Sequence, residues 1–417
     1  MTLLETHDVL RGAVPARPAL MGRLNATSIL ELVRDQGPIS RAEIARRLRL
    51  SAATVTRLTA ELIERGQIVA GSEPGASSGG RRPILLSFNH QATAVAGVDV
   101  GGTSTTAALS DLDGHILARR TISSRDRNGR PLDPAAIVEL IRSVVGADRS
   151  LTPRLRGIGV GVPSIARHRD GVVVLAPALG WDNVPLAQLV RDAFQVPAFV
   201  ENDVNLAALG EYSFGAGRGT KNLVVILVGT GIGAGIIING RLHRGARETA
   251  GEIGYLMVDR SSLDRTYPGF GHLESVAGGR GIAERARQRL GTASPPPEGW
   301  PRDPAAITAR DVFALYRRDP IATEVVDEVI DYLTIAIANV ACVLNPERIV
   351  LGGGVIERNP HLVSTIGERL RGRIPDVPEI VGAELGGDAV LTGAIALARE
   401  RTSGYAFVER AEVPSGG

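Results

Sequence analysis

Apolar residues in the first ninety positions recur at helical spacing in three short bursts. From Asn25 to Arg34 they place Ile29, Leu30, Leu32 and Val33 on one side of a helix, with Asn25 or Thr27 available as its cap. Gly37 and Pro38 break that run. Ser40-Arg41-Ala42-Glu43 then reads as a capping box, and Ile44, Ala45 and Leu48 form the apolar face of a second helix ending near Leu48. Arg49-Leu50-Ser51 makes a turn, and Ser51 can cap a third helix in which Val55, Leu58 and Leu62 repeat at core spacing. Two helices separated by three residues predict a helix-turn-helix. At the start of the third helix Ser51, Ala53, Thr54, Thr56 and Arg57 are left facing outward, small or polar with one long cation, which suits base edges in a major groove. Gln67–Ala70 and Ile84–Phe88 follow as strands, and the Gly/Ser-rich loop between them ends in Arg81-Arg82-Pro83. Strands joined by a basic loop predict a wing, which adds Arg81 and Arg82 to the candidate DNA contacts. The competing reading is a three-helix packing or dimerisation module with a merely solvated polar face. Spacing, capping and the basic wing together favour DNA.

From Ala94 the pattern changes to buried strands and glycine turns. Ala94–Val100 runs into Gly101-Gly102-Thr103-Ser104 and a further strand, and Leu223–Asn239 repeats the arrangement around Val228-Gly229-Thr230-Gly231-Ile232-Gly233-Ala234-Gly235. A carboxylate such as Asp99 at a strand end, followed by glycines and hydroxyls, suits phosphate and metal-bound water, because backbone N–H groups can approach an anion closely. A dinucleotide-binding fold would need strand, glycines and then a helix at G-x-G-x-x-G spacing, and here each glycine run leads into another strand. Gly157-Ile158-Gly159-Val160-Gly161 fails for the same reason, and a Walker A loop is excluded because its lysine is missing: Lys221 is the chain's only lysine. Two glycine hairpins, each opening a new half, predict duplicated α/β lobes with a cleft between them.

Composition sharpens this picture in few places. At 417 residues the chain exceeds what one core serves, so several domains are expected. Net charge is only +2, yet residues 20–90 hold ten arginines against six acids, which leaves −2 for the rest and puts the basic bias on the helix-turn-helix. Aromatic residues are too sparse, at 4%, for a single-strand stacking platform. The single cysteine, Cys342, lies in an apolar run and is expected to be buried in a helix core; it excludes an intramolecular disulfide and fits a reducing cytoplasm. No stretch has the length of a signal peptide core or a membrane span, so the chain is expected to be cytoplasmic.

Five motifs in order, Asp99-Val100-Gly101-Gly102-Thr103, Glu201-Asn202-Asp203-Val204-Asn205, Gly229-Thr230-Gly231-Ile232-Gly233, Ala250-Gly251-Glu252-Ile253-Gly254 and Leu351-Gly352-Gly353-Gly354-Val355, resemble the ROK family of repressors, open reading frames and kinases. The resemblance spans about residues 22–400 and includes the winged helix that marks the family's repressors. It implies an α/β fold, an N-terminal winged helix-turn-helix followed by a duplicated two-lobed sugar-kinase/actin-like (ribonuclease H-like) domain. The organisation expected is a flexible tail over 1–19, the DNA-binding domain over 20–90, lobes over 91–205 and 206–402 with the C-terminal helix packing back on the first lobe, and a tail over 403–417. In the family's kinases the Asn-Asp pair binds sugar and the aspartate acts as general base, which assigns sugar contact to Asn202 and Asp203 and the base, in a kinase, to Asp203. Gly102, Ser164, Glu252, Tyr255 and Glu274 complete the implied sugar set. Asp99, Gly101, Gly102, Thr103, Gly229, Thr230, Gly231, Gly233, Gly353 and Gly354 are the implied phosphate or ATP set.

Many family members carry a structural zinc site built from a histidine and a cysteine cluster. This chain has Tyr255 where that histidine would stand, and Arg265, Tyr267 and His272 in place of the cysteines, so a thiolate zinc site is excluded and no metal is expected there. His272 reads as a surface or hydrogen-bonded histidine. The whole implies a homodimeric regulator, a repressor of carbohydrate genes, that binds an inverted repeat in double-stranded DNA and responds to a sugar or sugar phosphate between its lobes, with no cofactor required and no membrane association. The rivals are an ATP- and Mg2+-dependent sugar kinase, alone or combined with regulation, and a scaffold that binds no DNA. Gly291 to Pro304 is expected to be an exposed irregular loop.

Overall fold

A computed structural model describes residues 18–64, 66–71, 84–89, 93–126, 128–147, 154–163, 165–267, 269–291 and 297–403. It divides into two compact units, one holding the described residues up to Ala94 with Asp111–Asp113 and 400–403, the other the described residues of Val95–Ser110 and Gly114–Arg399.

In the first unit three helices, Pro18–Gln36, Arg41–Leu48 and Ala52–Glu64, enclose a core of Ile29, Leu30, Val33, Ile44, Val55, Leu58 and Leu62, all 3% exposed or less. The first helix begins earlier than its apolar burst suggests. Pro18 can occupy a first helical position, where its missing N–H costs nothing, so Asn25 and Thr27 lie inside the helix and do not cap it. Ser40 does cap the second helix, its Oγ accepting from the Glu43 N–H at 3.2 Å, but the Glu43 carboxylate turns to Arg46 at 2.9 Å. Ser51 Oγ accepts from the Thr54 N–H at 3.1 Å and starts the third helix. Arg41 donates through Nε to the buried Thr59 Oγ1 at 2.8 Å and ties the second helix to the third. Leu85–Phe88 is the centre of a three-stranded sheet, paired with Ile68–Gly71 on one side and Ile39–Ser40 on the other. The two-residue strand is too short for any periodic signal.

The second unit shows the duplication in its strand order. The strands Ala94–Val100, Ser104–Asp111 and Ile116–Ser123 form an antiparallel run at one side of a five-stranded sheet, with Leu155–Val162 and Ala198–Asn202 added beyond the first of them. Leu223–Val228, Ile232–Ile238, Arg241–Leu242, Arg348–Gly352 and Glu379–Gly382 repeat that order in the second sheet. Leu223–Val228 is central, which is why it is apolar almost throughout. A small antiparallel sheet of Ile165–Arg167, Val172–Ala176 and Trp181–Val184 accompanies the first lobe.

The C-terminal helix, Ala389–Ser403, is seated on the first sheet through glycine. A Cβ at Gly159 would lie 2.1 Å from the Ala394 carbonyl oxygen, and one at Gly393 would lie 1.7 Å from that of Leu206. Close approach of helix and sheet accounts for Gly159, and likewise for Gly161, where a Cβ would lie 2.7 Å from the Val390 side chain. Leu206, Leu223, Val225, Val350, Ala394 and Leu397 form a core common to both lobes. The long helix Pro320–Leu344 buries Val325, Val329, Leu333, Ile337 and Ala341 in the second lobe. Cys342 stands one position, about 100°, past Ala341 and is exposed beside Val343, contrary to its expected burial. In the segment expected as an exposed loop the described residues are exposed except the half-buried Pro301 and Trp300, which is 6% exposed and enters the same core.

Candidate functional site

Strand Ala198–Asn202 hands the chain to helix Asp203–Phe214, whose N-cap is Asn202: its Oδ1 accepts from the Asn205 N–H at 3.0 Å. Asp203 Oδ1 accepts from the Val204 N–H at 2.9 Å. A helix N-terminus favours an anion, yet burial wins here and pushes the Asp203 carboxyl up to about 7, with the charges of Asp99 and Glu252 adding to the effect. Burial raises Asp99 to about 6; the Asp388 charge adds to the shift and Arg119, which pairs with Asp388 at 2.6 Å, opposes it. Glu252, just before the turn Ile253–Tyr255, is raised by burial. Glu274, in the helix His272–Ala277, is also raised by burial and by Glu252, although its Oε1 accepts from the Ile232 N–H at 3.1 Å. A Cβ at Gly231 would stand 1.9 Å from that oxygen, so this glycine admits Glu274 to the strand end.

Asp99, Asp203, Glu252 and Glu274 come from four segments and are raised chiefly by burial, with the charges of Asp99 and Glu252 acting on Asp203 and that of Glu252 on Glu274. A carboxyl raised as Asp203 is can donate as well as accept, which suits a polyol whose hydroxyls need both. Tyr255, three residues after Glu252, is 46% exposed.

The phosphate set divides. In the first lobe the Gly101 N–H donates to the Ser104 carbonyl at 2.9 Å and closes the hairpin, leaving Gly102 and Thr103 at its tip. In the second lobe Gly229, Thr230 and Gly354 line a cavity of about 910 Å³ together with Arg280, Thr308, Arg310 and Arg358. Gly353, at φ 84°, packs on the Val228 backbone, and Gly233 faces the Val204 side chain, so both serve packing beside the cavity. The three cavity arginines were not legible in the sequence. Arg280 follows Gly278-Gly279 and Arg358 the glycine run 352–354, and in an arginine-rich chain neither is a signal.

On the third helix Ser51, Ala53, Thr56 and Arg57 are exposed and Thr54 is half-buried. The Ser51 and Thr54 hydroxyls are 2.8 Å apart and serve the cap. Arg57 pairs with Glu61 at 2.6 Å on the open surface, an interaction worth about 0.5 kcal/mol that a phosphate or base edge readily replaces. Ser164, Arg81 and Arg82 lie outside the described residues.

Residues 95–401 match the ROK family over most of the chain. The chain belongs to the ROK family. Residues 25–69 of this ROK protein also match a winged helix-turn-helix DNA-binding family. It is 32% identical to a putative xylose repressor of Caldicellulosiruptor sp. (strain Rt8B.4), over 80% of this chain and 84% of the relative. It is 35% identical to a glucokinase of Halalkalibacterium halodurans, over 71% of this chain and 92% of the relative. Among solved structures, a ROK family transcriptional regulator, a homologue of the E. coli MLC protein, superposes with a TM-score of 0.75 at 27% identity, covering 93% of this chain and 98% of that one.

The fold seen in this ROK protein is that of a winged helix-turn-helix followed by the family's two-lobed α/β body. At Arg265, Tyr267 and His272, where the family resemblance implies a zinc site, the residues present are poor metal donors. Arg265 offers no lone pair, and both His272 ring nitrogens are engaged, Nδ1 with the Tyr267 hydroxyl at 2.8 Å and Nε2 with Asp259 Oδ2 at 3.2 Å. His272 is thus hydrogen-bonded and 3% exposed, a packed group that fastens the turn before Glu274. Among the described residues no helix is long and apolar enough to cross a membrane.

Proposed function

We propose that this ROK protein is a sugar-responsive transcriptional regulator, a cytoplasmic repressor of carbohydrate uptake and catabolism genes. The observation that carries this reading is the union, in one chain, of a helix-turn-helix with an open polar face on Ala52–Glu64 and a body in which four raised carboxyls converge. Two copies would present two such helices to an inverted repeat, and a sugar or sugar phosphate held by Asn202, Asp203, Glu252 and Glu274 would favour one lobe arrangement over another and so change the grip on DNA. The names of the xylose repressor and of the MLC homologue support a regulator. The test is to recover genomic DNA fragments bound by the pure protein and titrate them with D-xylose, D-glucose and N-acetylglucosamine. Release or tightening by at least one sugar is expected, and indifference to all three argues against the reading. Arg57→Ala should weaken the recovered fragments by about 1–3 kcal/mol, roughly 10- to 100-fold, in fluorescence anisotropy.

A second reading is supported by the cavity of Gly229, Thr230, Gly354 and three arginines, and by the glucokinase relative. In a kinase this cavity would hold ATP with Mg2+, and Asp203, poised near neutrality, would take the proton of the sugar hydroxyl as the phosphoryl group arrives. Turnover with Mg2+-ATP and hexoses that disappears in Asp203→Asn would establish it. Neither reading needs zinc. Dialysis against EDTA is expected to leave the melting temperature unchanged within a degree, and a fall of several degrees would point to a structural metal.

A further inference from the structure

Behind Asn202 and Asp203 lies a carboxylate that neither reading uses. Glu201 is 2% exposed. Its Oε1 accepts from the Asn202 N–H at 3.1 Å and the Asn205 side-chain amide at 3.0 Å, and its Oε2 accepts from Arg244 Nε at 2.7 Å. The arginine comes from the other lobe, on the loop between strand Arg241–Leu242 and Glu252, and its side chain is only 18% exposed. Within that loop the Ala250 N–H donates to the Arg244 carbonyl at 3.0 Å, and its end is tied to strand Ile232–Ile238, where the Ala234 N–H donates to the Gly251 carbonyl at 2.8 Å. A second tie joins the same parts, because Glu248 Oε2 accepts from the His168 N–H at 2.5 Å.

The position of Glu252 is thus set by a loop whose far end is moored to the strand that delivers Asn202 and Asp203. We propose that Arg244 is a positioning residue of the sugar site, which through Glu201 locks the Glu252 loop of one lobe to the Asn202–Asp203 corner of the other. The proposal rests on the sugar-binding reading and deepens it. A buried carboxylate stays charged only while its lone pairs and charge are matched. Without the guanidinium Glu201 Oε2 loses the Arg244 donor, and the two halves of the site lose their common anchor. Misplacement of site groups by about 1 Å is enough to weaken a polar site severely.

The test uses the full chain in three forms, wild type, Arg244→Gln, and the double variant Glu201→Gln with Arg244→Gln, which leaves no buried charge unpaired. Calorimetric titration with D-xylose, D-glucose and N-acetylglucosamine is combined with melting temperatures taken without sugar. The wild type is expected to bind at least one of the three, and Arg244→Gln to bind it at least tenfold more weakly. The double variant is expected to recover the melting temperature but to remain at least tenfold weaker for sugar, and Arg244→Lys to regain part of the affinity. Wild-type affinity in Arg244→Gln would overturn the proposal, as would a double variant whose affinity returns together with its stability, since the pair would then be structural only. Failure of the wild type to bind any of the three sugars would overturn the sugar-binding reading, and the proposal with it.

Discussion

An Asp203→Asn protein is expected to melt several degrees above the wild type at pH 8 while losing roughly 10- to 100-fold in sugar affinity. The folded Asp203 carboxyl titrates at about 7, far above its ordinary value near 4, chiefly because burial penalises its charge. The folded state therefore binds a proton more tightly than the unfolded chain does. The stability this gives is full below about pH 4 and is lost progressively as pH rises through 7. At pH 8 the ionised carboxylate costs the fold on the order of 4 kcal/mol, a cost an uncharged amide avoids, and this corresponds to roughly 5–10 °C. The same change removes a charged acceptor for a sugar hydroxyl, worth about 1.5–3 kcal/mol. Asp99, raised to about 6 for similar reasons, adds a slope of the same sign at slightly lower pH. Melting curves from pH 5 to 8 provide the check: the gap between variant and wild type should widen with pH, and parallel curves would show that Asp203 is not held near neutrality.

Gly393→Ala is expected to cost about 3 kcal/mol or more and to release the C-terminal helix. Inside a helix this substitution ordinarily stabilises by about 1 kcal/mol, because glycine has the greater backbone freedom to lose. Here the added carbon would stand 1.7 Å from the Leu206 carbonyl oxygen, and backbone cannot rotate away as a side chain can. Overpacking therefore outweighs propensity. Leu206 belongs to the helix that begins with Asp203, so sugar affinity should fall along with stability. Gly387→Ala, where nothing lies within 4 Å of the new carbon, is the control and should be nearly neutral in urea denaturation. Equal stabilities for the two variants would contradict this packing.

Much of the fold was legible wherever local physics decides. The capping serines Ser40 and Ser51, the buried Val55, Leu58 and Leu62, and the paired glycine hairpins lie where the pattern places them, because caps and apolar periodicity act over a few residues. The pattern misleads where a neighbour distant in sequence decides. Cys342 sits in an apolar run but on the turn of its helix that faces out, and Trp300 lies in a proline-rich segment but plugs the second-lobe core. The first helix starts before its apolar stripe, because a helix can extend through residues that show none.

The sequence by itself determined the order of motifs, the helix-turn-helix and the acids that could hold a polyol, since each depends on residue identity and short spacing. Only the tertiary structure decided that Asp99, Asp203, Glu252 and Glu274 share one electrostatic environment, that three arginines line the cavity beside Gly229, and that Glu201 is answered by Arg244 from across the molecule. The physical reason is that a charge is buried or solvated, paired or repelled, by groups that folding brings from elsewhere in the chain, and no local pattern records which groups those are.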